Sequence, residues 1–201
     1  MQNNLHIYSK IICTLMAKLC QLIDGVAYSK EGKDCMKRNS IRSIVTGAFI
    51  AAIYVVITLV FGFTSFGPVQ VRFSEAFTIL PAVTPVAVPA IFVGCLISNI
   101  FGGNGIWDIV VGSIATLLSA YLTYKLTYNK PTRKLLAPLP PVIVNAVIVG
   151  PMLSILYNLP FFITIASVGI GQIVACYFLG YPLLLLIGKN KRLSELFARN
   201  F

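Results

Sequence analysis

The chain has 201 residues, 57% of them in the hydrophobic set and only 11% charged, with a mean hydropathy of +0.85. Soluble domains carry about 25% charged residues, so too little charge is available here to cover a water-facing surface, and a chain this apolar is not a disordered one either. An integral membrane protein remains, long enough for about six spans at roughly 20 residues each, and its net charge of +10 has to be explained within that class.

Residues 1–43 are mixed in character. Leu5, Tyr8, Ile12, Leu15, Leu19, Leu22 and Val26 repeat at three and four, with Lys10, Lys18 and Gln21 off that stripe, which predicts an amphipathic helix on the inner leaflet. A signal peptide or a poorly ordered tail are the alternatives, the former disfavoured because no small-residue cleavage site precedes the basic stretch 30–42. A first span follows over 44–61, then a loop over 62–71 punctuated by Gly67 and Pro68. The apolar run 74–101 is broken by Pro81, Pro85 and Pro89 into two segments, each short for a span. They either cross as two short or distorted helices or form a re-entrant hairpin buried against the protein. Both options return the chain to the side it left. Gly102, Gly103, Asn104 and Gly105 make a turn, Trp107 and Asp108 open a span reaching about residue 124, and 125–137 is a basic loop. Further spans are predicted over 138–157 and 163–187, joined by a short turn.

The basic residues decide between topologies. Of the 16, seven precede Ile44, four lie from Lys125 to Lys134 and four from Lys189 onward, which leaves Arg72 alone. If the pair around Pro85 counts as two crossings, all three clusters fall on one face, as the positive-inside rule requires of the cytoplasmic side. The expectation is an all-α multi-pass protein of the cell membrane with six transmembrane helical segments and both termini cytoplasmic. Its organisation is an N-terminal extension over 1–43, a membrane domain over 44–188 and a basic tail over 189–201.

Clusters confined to loops and tails lack the basic stripe with interleaved aromatics that nucleic-acid binding uses, so the lipid bilayer rather than nucleic acid accounts for them. Five cysteines, odd in number and without a C-x-x-C pair, give no disulfide framework or zinc site and read as small buried hydrophobes or inner-face thiols. No G-x-x-x-x-G-K-[ST] motif occurs and the single histidine is His6, which removes a nucleotide motor, a Ser-His-Asp triad and H-E-x-x-H chemistry. No enzyme, cofactor or metal is expected.

Glu75 and Asp108 are the only acids between Asp34 and Glu195. Ionisable groups at membrane depth are costly and face a cavity or a partner. Two plainer roles compete: Glu75 can pair with Arg72 one helical turn away, and Asp108 can cap the helix after the glycine turn. Asn99 closes the third segment, Trp107 adjoins Asp108, Asn145 lies within span 5, and Gln172 lies about 13 Å into the last span at 1.5 Å per residue. The amides can equally join helices to one another, and Trp107 can belong to an interfacial belt. Carboxylates, amides and an indole on one side suit a flat, polar, hydrogen-bonding ligand. Span 1 adds small residues four apart, Gly47 with Ala51 and Ala48 with Ala52, a face that lets another helix come close.

Three runs, Val69-Gln-Val-Arg-Phe-Ser-Glu-Ala-Phe-Thr-Ile-Leu-Pro81, Gly102-Gly-Asn-Gly-Ile-Trp-Asp108 and Pro141-Val-Ile-Val-Asn-Ala146, resemble the QueT family, the queuosine-precursor substrate-binding subunits (S components) of energy-coupling factor (ECF) transporters. The resemblance covers about residues 42–191. It implies a six-helix importer subunit that binds a 7-deazaguanine from outside and is energised by a transmembrane coupling subunit and two cytoplasmic ATPases. By motif match it implies ligand contacts at Arg72, Glu75, Trp107, Asp108 and Asn145, to which position alone adds Asn99 and Gln172. It also implies that Ala48 and Ala52 face the coupling subunit. An S component for another vitamin or small heterocycle, and an intramembrane enzyme or helper without transport, are the alternatives.

Overall fold

The computed structural model describes residues 35–65, 71–103, 105–128 and 130–189, with side-chain surroundings from Ser43 onward, Pro131 excepted. Among these residues every regular element is helical. The elements are α1 (Cys35–Val60), a single turn at Gly62–Ser65, a 3-10 segment (Phe73–Ala82), α2 (Ala87–Gly102), α3 (Ser113–Thr127, entered through a π-helical turn at Asp108–Gly112), a short 3-10 helix (Pro131–Leu136), α4 (Leu139–Tyr157), α5 (Phe161–Ile173), a π-helical stretch (Val174–Gly180) and α6 (Tyr181–Lys189). The amphipathic helix expected before residue 35 and the basic tail beyond 189 lie outside the described residues.

Among the described residues four stretches are long and apolar enough to cross a membrane: Ser43–Val60, Asp108–Thr127, Thr132–Tyr157 and Phe161–Lys189. Their outward faces carry Phe49, Val56, Val147, Ile155, Phe162 and Phe178, all exposed, a surface stable only against hydrocarbon. The first span, Ser43–Val60, agrees with the predicted 44–61, and its helix starts earlier, at Cys35, so the basic residues Lys37, Arg38 and Arg42 form the opening turns. The last span is longer than its predicted bounds, because α5, the π stretch and α6 run on as one helix.

The run interrupted by prolines folds as two short pieces, as its punctuation requires, but the first is a 3-10 helix. Pro81 sits inside it, Pro85 lies in the following turn, and Pro89 occupies the first turn of α2, where a missing N–H costs little. Eight of the ten residues of the 3-10 segment are buried, and α2, at 16 residues, is shorter than a typical span. The 3-10 segment and most of α2 are buried against the longer helices, with Ile100 and Phe101 exposed at the end of α2. Gly103 closes α2 in the left-handed conformation (φ 69°) and Gly105 follows at φ 94°, the backbone freedom the glycine-rich turn supplies.

Close packing is set by glycines. α1 lies on α2 where Gly94 would bring a β-carbon within 3.0 Å of Tyr54 Cβ and 3.1 Å of the Ala51 carbonyl. α4 and α5 form a hairpin in which Gly150 approaches the Ile165 backbone to 3.0 Å by the same measure. Gly180 would meet the Ala76 carbonyl at 2.9 Å, so the 3-10 segment is pressed against the π stretch of the last helix. One apolar cluster joins Ile50 and Tyr54 of α1 to Ala87, Ala90 and Ile91 of α2. A second joins Ala115 of α3 to Val144, Val149, Leu153 and Val168 of the hairpin. Polar side chains gather between the two.

Candidate functional site

The 3-10 segment carries its polar residues inward because it is packed against α1, α2, α3 and the π stretch of the last helix. Arg72, Glu75, Asn99 and Asp108 are at most 5% exposed. Arg72 Nη2 donates to Asp108 Oδ1 at 3.1 Å, and its Nε donates to the Ser65 carbonyl at 3.4 Å. The Arg72–Glu75 pair, one of the alternatives the sequence left open, is not the salt bridge formed; Arg72 pairs with Asp108, 36 positions away. On the 3-10 segment the local link between residues 72 and 75 is the backbone bond from Glu75 N–H to Arg72 C=O, and the guanidinium extends across to the start of α3. Asp108 does not serve as the helix cap, since it lies inside the π turn and Trp107 precedes it without a side-chain capping bond. Its backbone carbonyl accepts from Asn99 Nδ2 at 2.9 Å, which ties the end of α2 to the opening of α3.

Glu75 is held differently. Its Oε1 accepts from the Tyr54 hydroxyl at 3.0 Å and lies 3.3 Å from Thr116 Oγ1. Its backbone carbonyl accepts from Thr78 Oγ1 at 2.6 Å and from Cys176 Sγ at 3.4 Å. Oε2 is buried and has no hydrogen-bond partner among the described residues. An ionised carboxylate has about four acceptor directions, and the Asn145 amide, which lines the same cavity, also interacts with the Glu75 side chain.

Arg72, Glu75, Gly112, Thr116, Asn145, Val149, Val168 and Gln172 line one cavity. It brings together four of the predicted site residues, Arg72, Glu75, Asn145 and Gln172, from the 3-10 segment, α4 and α5. Asp108 and Asn99 stand behind it: a methyl on Gly112 would lie 3.5 Å from Asp108 Oδ1 and 3.2 Å from Asn99 Nδ2. Trp107 is not brought in, being 60% exposed on the outside of the helix. The cavity is small, about 10 Å³, space for about one water. Anything larger needs the lining residues to move apart.

Several contributors were not singled out in the sequence. Tyr54 could have been found, since Gly47, Ala51 and Tyr54 are spaced four and three on one helix face, and all three are buried. Thr116 lies two turns beyond Asp108 on the inward face of α3. Cys95 and Cys176 are buried, as expected, but among polar groups: Asn99 Nδ2 donates to Cys95 Sγ at 3.4 Å, and Gln172 Oε1, at 3.6 Å, is a second acceptor near Cys176 Sγ beside the Glu75 carbonyl. No signal in the chain distinguished these thiols from other small core residues.

Comparison with known proteins adds an independent observation. The family model described as QueT transporter matches residues 44–189. The chain is similar to a queuosine precursor transporter, QueT, of Lactococcus lactis subsp. cremoris (strain MG1363), with 35% identity over 85 residues, covering 41% of this chain and 50% of that protein. The matched part thus spans about half the length of that curated relative. No solved structure matches.

Proposed function

Because the chain belongs to the QueT transporter family and is a multi-pass membrane protein, we propose that it is the substrate-binding S component of an ECF-type importer for a queuosine precursor or queuine. The family is one of transporters, not enzymes. The observation that carries the reading is the buried carboxylate of Glu75 facing a cavity whose other polar groups are a guanidinium, the Thr116 hydroxyl and two amides. That set matches a 7-deazaguanine edge, which offers adjacent N–H donors beside a carbonyl acceptor.

In this reading Glu75, Asn145, Gln172 and Arg72 touch the ligand, Asp108 and Asn99 hold them in place, and Trp107 has no part in the pocket. The six-segment topology with both termini cytoplasmic belongs to the proposal, supported by the basic clusters. So do the coupling subunit and the paired ATPases, which would provide the nucleotide chemistry that the membrane domain has no motif for. On α1 the small residues divide between two faces. Gly47 and Ala51 are buried against the protein, whereas Ala48 and Ala52 are exposed and available to a helix of the coupling subunit.

A thermal-shift panel on the purified full chain tests the substrate class. Free queuine or 7-deazaguanines bearing a cyano or aminomethyl group should raise the melting temperature, and vitamins should not. A shift produced only by a vitamin would transfer the protein to another substrate. Co-purification with an ATPase module tests the assembly.

A further inference from the structure

Helix α1 grips the 3-10 segment at two successive residues. Thr58 Oγ1 and Ser74 Oγ are hydrogen-bonded at 2.7 Å, and the Tyr54 hydroxyl donates to Glu75 Oε1 at 3.0 Å. The two α1 side chains are four positions apart, share the inward face of the helix and are both buried. Their targets differ in kind. The Thr58 bond ends on a hydroxyl of the 3-10 segment, whereas the Tyr54 bond ends on the carboxylate that faces the cavity. Tyr54 itself does not line that cavity, so its influence there passes through Glu75.

Tyr54 can hold an acid because it is itself held. A β-carbon on Gly94 of α2 would lie 3.0 Å from Tyr54 Cβ and 3.2 Å from its Cδ1, so the close approach of the two helices leaves the ring no room to swing. The ring also belongs to the apolar cluster that includes Ile50 and Ile91. A glutamate side chain has more rotatable bonds than a tyrosine and loses more freedom when it is fixed. The other hydroxyl on Oε1, that of Thr116, is more distant at 3.3 Å and stands on the cavity wall. A carboxylate already oriented before binding spares the ligand that ordering cost.

Resting on the reading of Glu75 as a ligand contact, we propose that Tyr54 is a positioning residue of the substrate site. Its hydroxyl, fixed by the contact of α1 with Gly94, sets the direction of the Glu75 carboxylate. The first helix is thereby part of the binding site without contributing to its wall.

A matched pair of variants tests this. Tyr54→Phe and Thr58→Val each remove one buried hydroxyl from α1 with little change of volume, and both should lower the melting temperature of the full chain in lipid nanodiscs. Only Tyr54→Phe should weaken the binding of queuine or of the cyano-substituted 7-deazaguanine, by about tenfold in calorimetric titration, and Thr58→Val should stay within about twofold. Infrared spectroscopy adds a readout that lost stability alone does not move. The glutamates are Glu31, Glu75 and Glu195, so with Glu31→Gln and Glu195→Gln in place isotope-labelled glutamate reports Glu75 alone. Its carboxyl band should shift in Tyr54→Phe and not in Thr58→Val. An unmoved band, equal affinity losses in the two variants, or unchanged affinity in Tyr54→Phe would overturn the proposal while leaving the reading of the site intact. Failure of the unaltered chain to bind any 7-deazaguanine would remove the reading and the proposal together. If Tyr54→Phe does not fold, Gly94→Ala keeps the hydroxyl but crowds the ring; it should shift the band and weaken binding, and no change in either would refute the assignment.

Discussion

The 3-10 segment with α2 and the α4–α5 hairpin are built on opposite principles. The first is short, proline-broken and enclosed, and it holds Arg72, Glu75 and Asn99, all buried. The second is long and apolar on all sides, exposing Ile143, Val147, Ile155 and Ile170 to the surroundings, and it lends the site only Asn145, Gln172 and two valines. A spanning helix has to satisfy lipid along its whole outer face, which leaves one inward stripe for polar groups. A segment walled in by spanning helices is free of that demand and can carry charge, provided each charge finds a partner. Charge placement and membrane crossing are thus assigned to different parts of the chain.

The sharpest way to break this division is to leave a charge alone inside the enclosed part. Arg72→Met removes the partner of Asp108, and stranding one member of a buried pair costs about 3 to 5 kcal/mol. Melting curves in detergent should show that loss. The double variant Arg72→Met with Asp108→Leu should recover most of it, because removing both charges with apolar replacements is often near neutral. A double variant no better than the single one would show that the pair does more than cancel charge.

Packing gives the next contrast. Gly180→Ala drives a β-carbon to 2.9 Å from the Ala76 carbonyl, backbone that cannot rotate away, and overpacking of this kind costs about 1 to 3 kcal/mol. Gly169→Ala on the hairpin meets nothing nearer than Ala146 Cβ at 3.7 Å and should be neutral or stabilising by up to about 1 kcal/mol from helix propensity. Equal melting temperatures for the two variants would contradict the tight seating of the 3-10 segment.

Ala52→Leu and Ala48→Leu separate assembly from binding. Both residues are exposed on α1, so ligand affinity and stability should hold while uptake by cells carrying the energising module falls. Loss of affinity in parallel would return these alanines to the fold. The smallest effect belongs to Trp107→Phe. With the side chain outside the cavity, affinity should stay within about twofold, the range of an exposed substitution. A larger loss measured by titration would bring the indole back as a contact.

Much of the helical plan was legible because spans announce themselves by length and hydropathy, and proline and glycine mark their ends. Pro81, Pro85 and Pro89 gave the break in 74–101, and Gly102 to Gly105 gave the turn. That the first piece is a 3-10 helix was not legible, since periodicity over ten residues does not separate three from 3.6 residues per turn. In the site, the rarity of acids within an apolar chain exposed Glu75 and Asp108. Their partners could not be read, because pairing Arg72 with Asp108 depends on how α2 folds back, and local spacing favoured Glu75. Tyr54 and Thr116 escaped for a similar reason: each is an ordinary residue of a helix until another element places a carboxylate against its hydroxyl.

The cavity of about 10 Å³ has a kinetic consequence. A site with room for about one water has to widen before a bicyclic ring can enter it, and where widening comes first it gates binding. The measured dissociation constant is then the intrinsic one divided by the fraction of time the site is open. In stopped flow, the rate of approach to equilibrium would level off with rising ligand concentration at the opening rate. The single tryptophan, adjoining Asp108 at the start of α3, is a built-in reporter for that plateau. Substitutions that loosen the hairpin away from the cavity, such as Leu153→Ala, would raise it before they altered any contact to the ring.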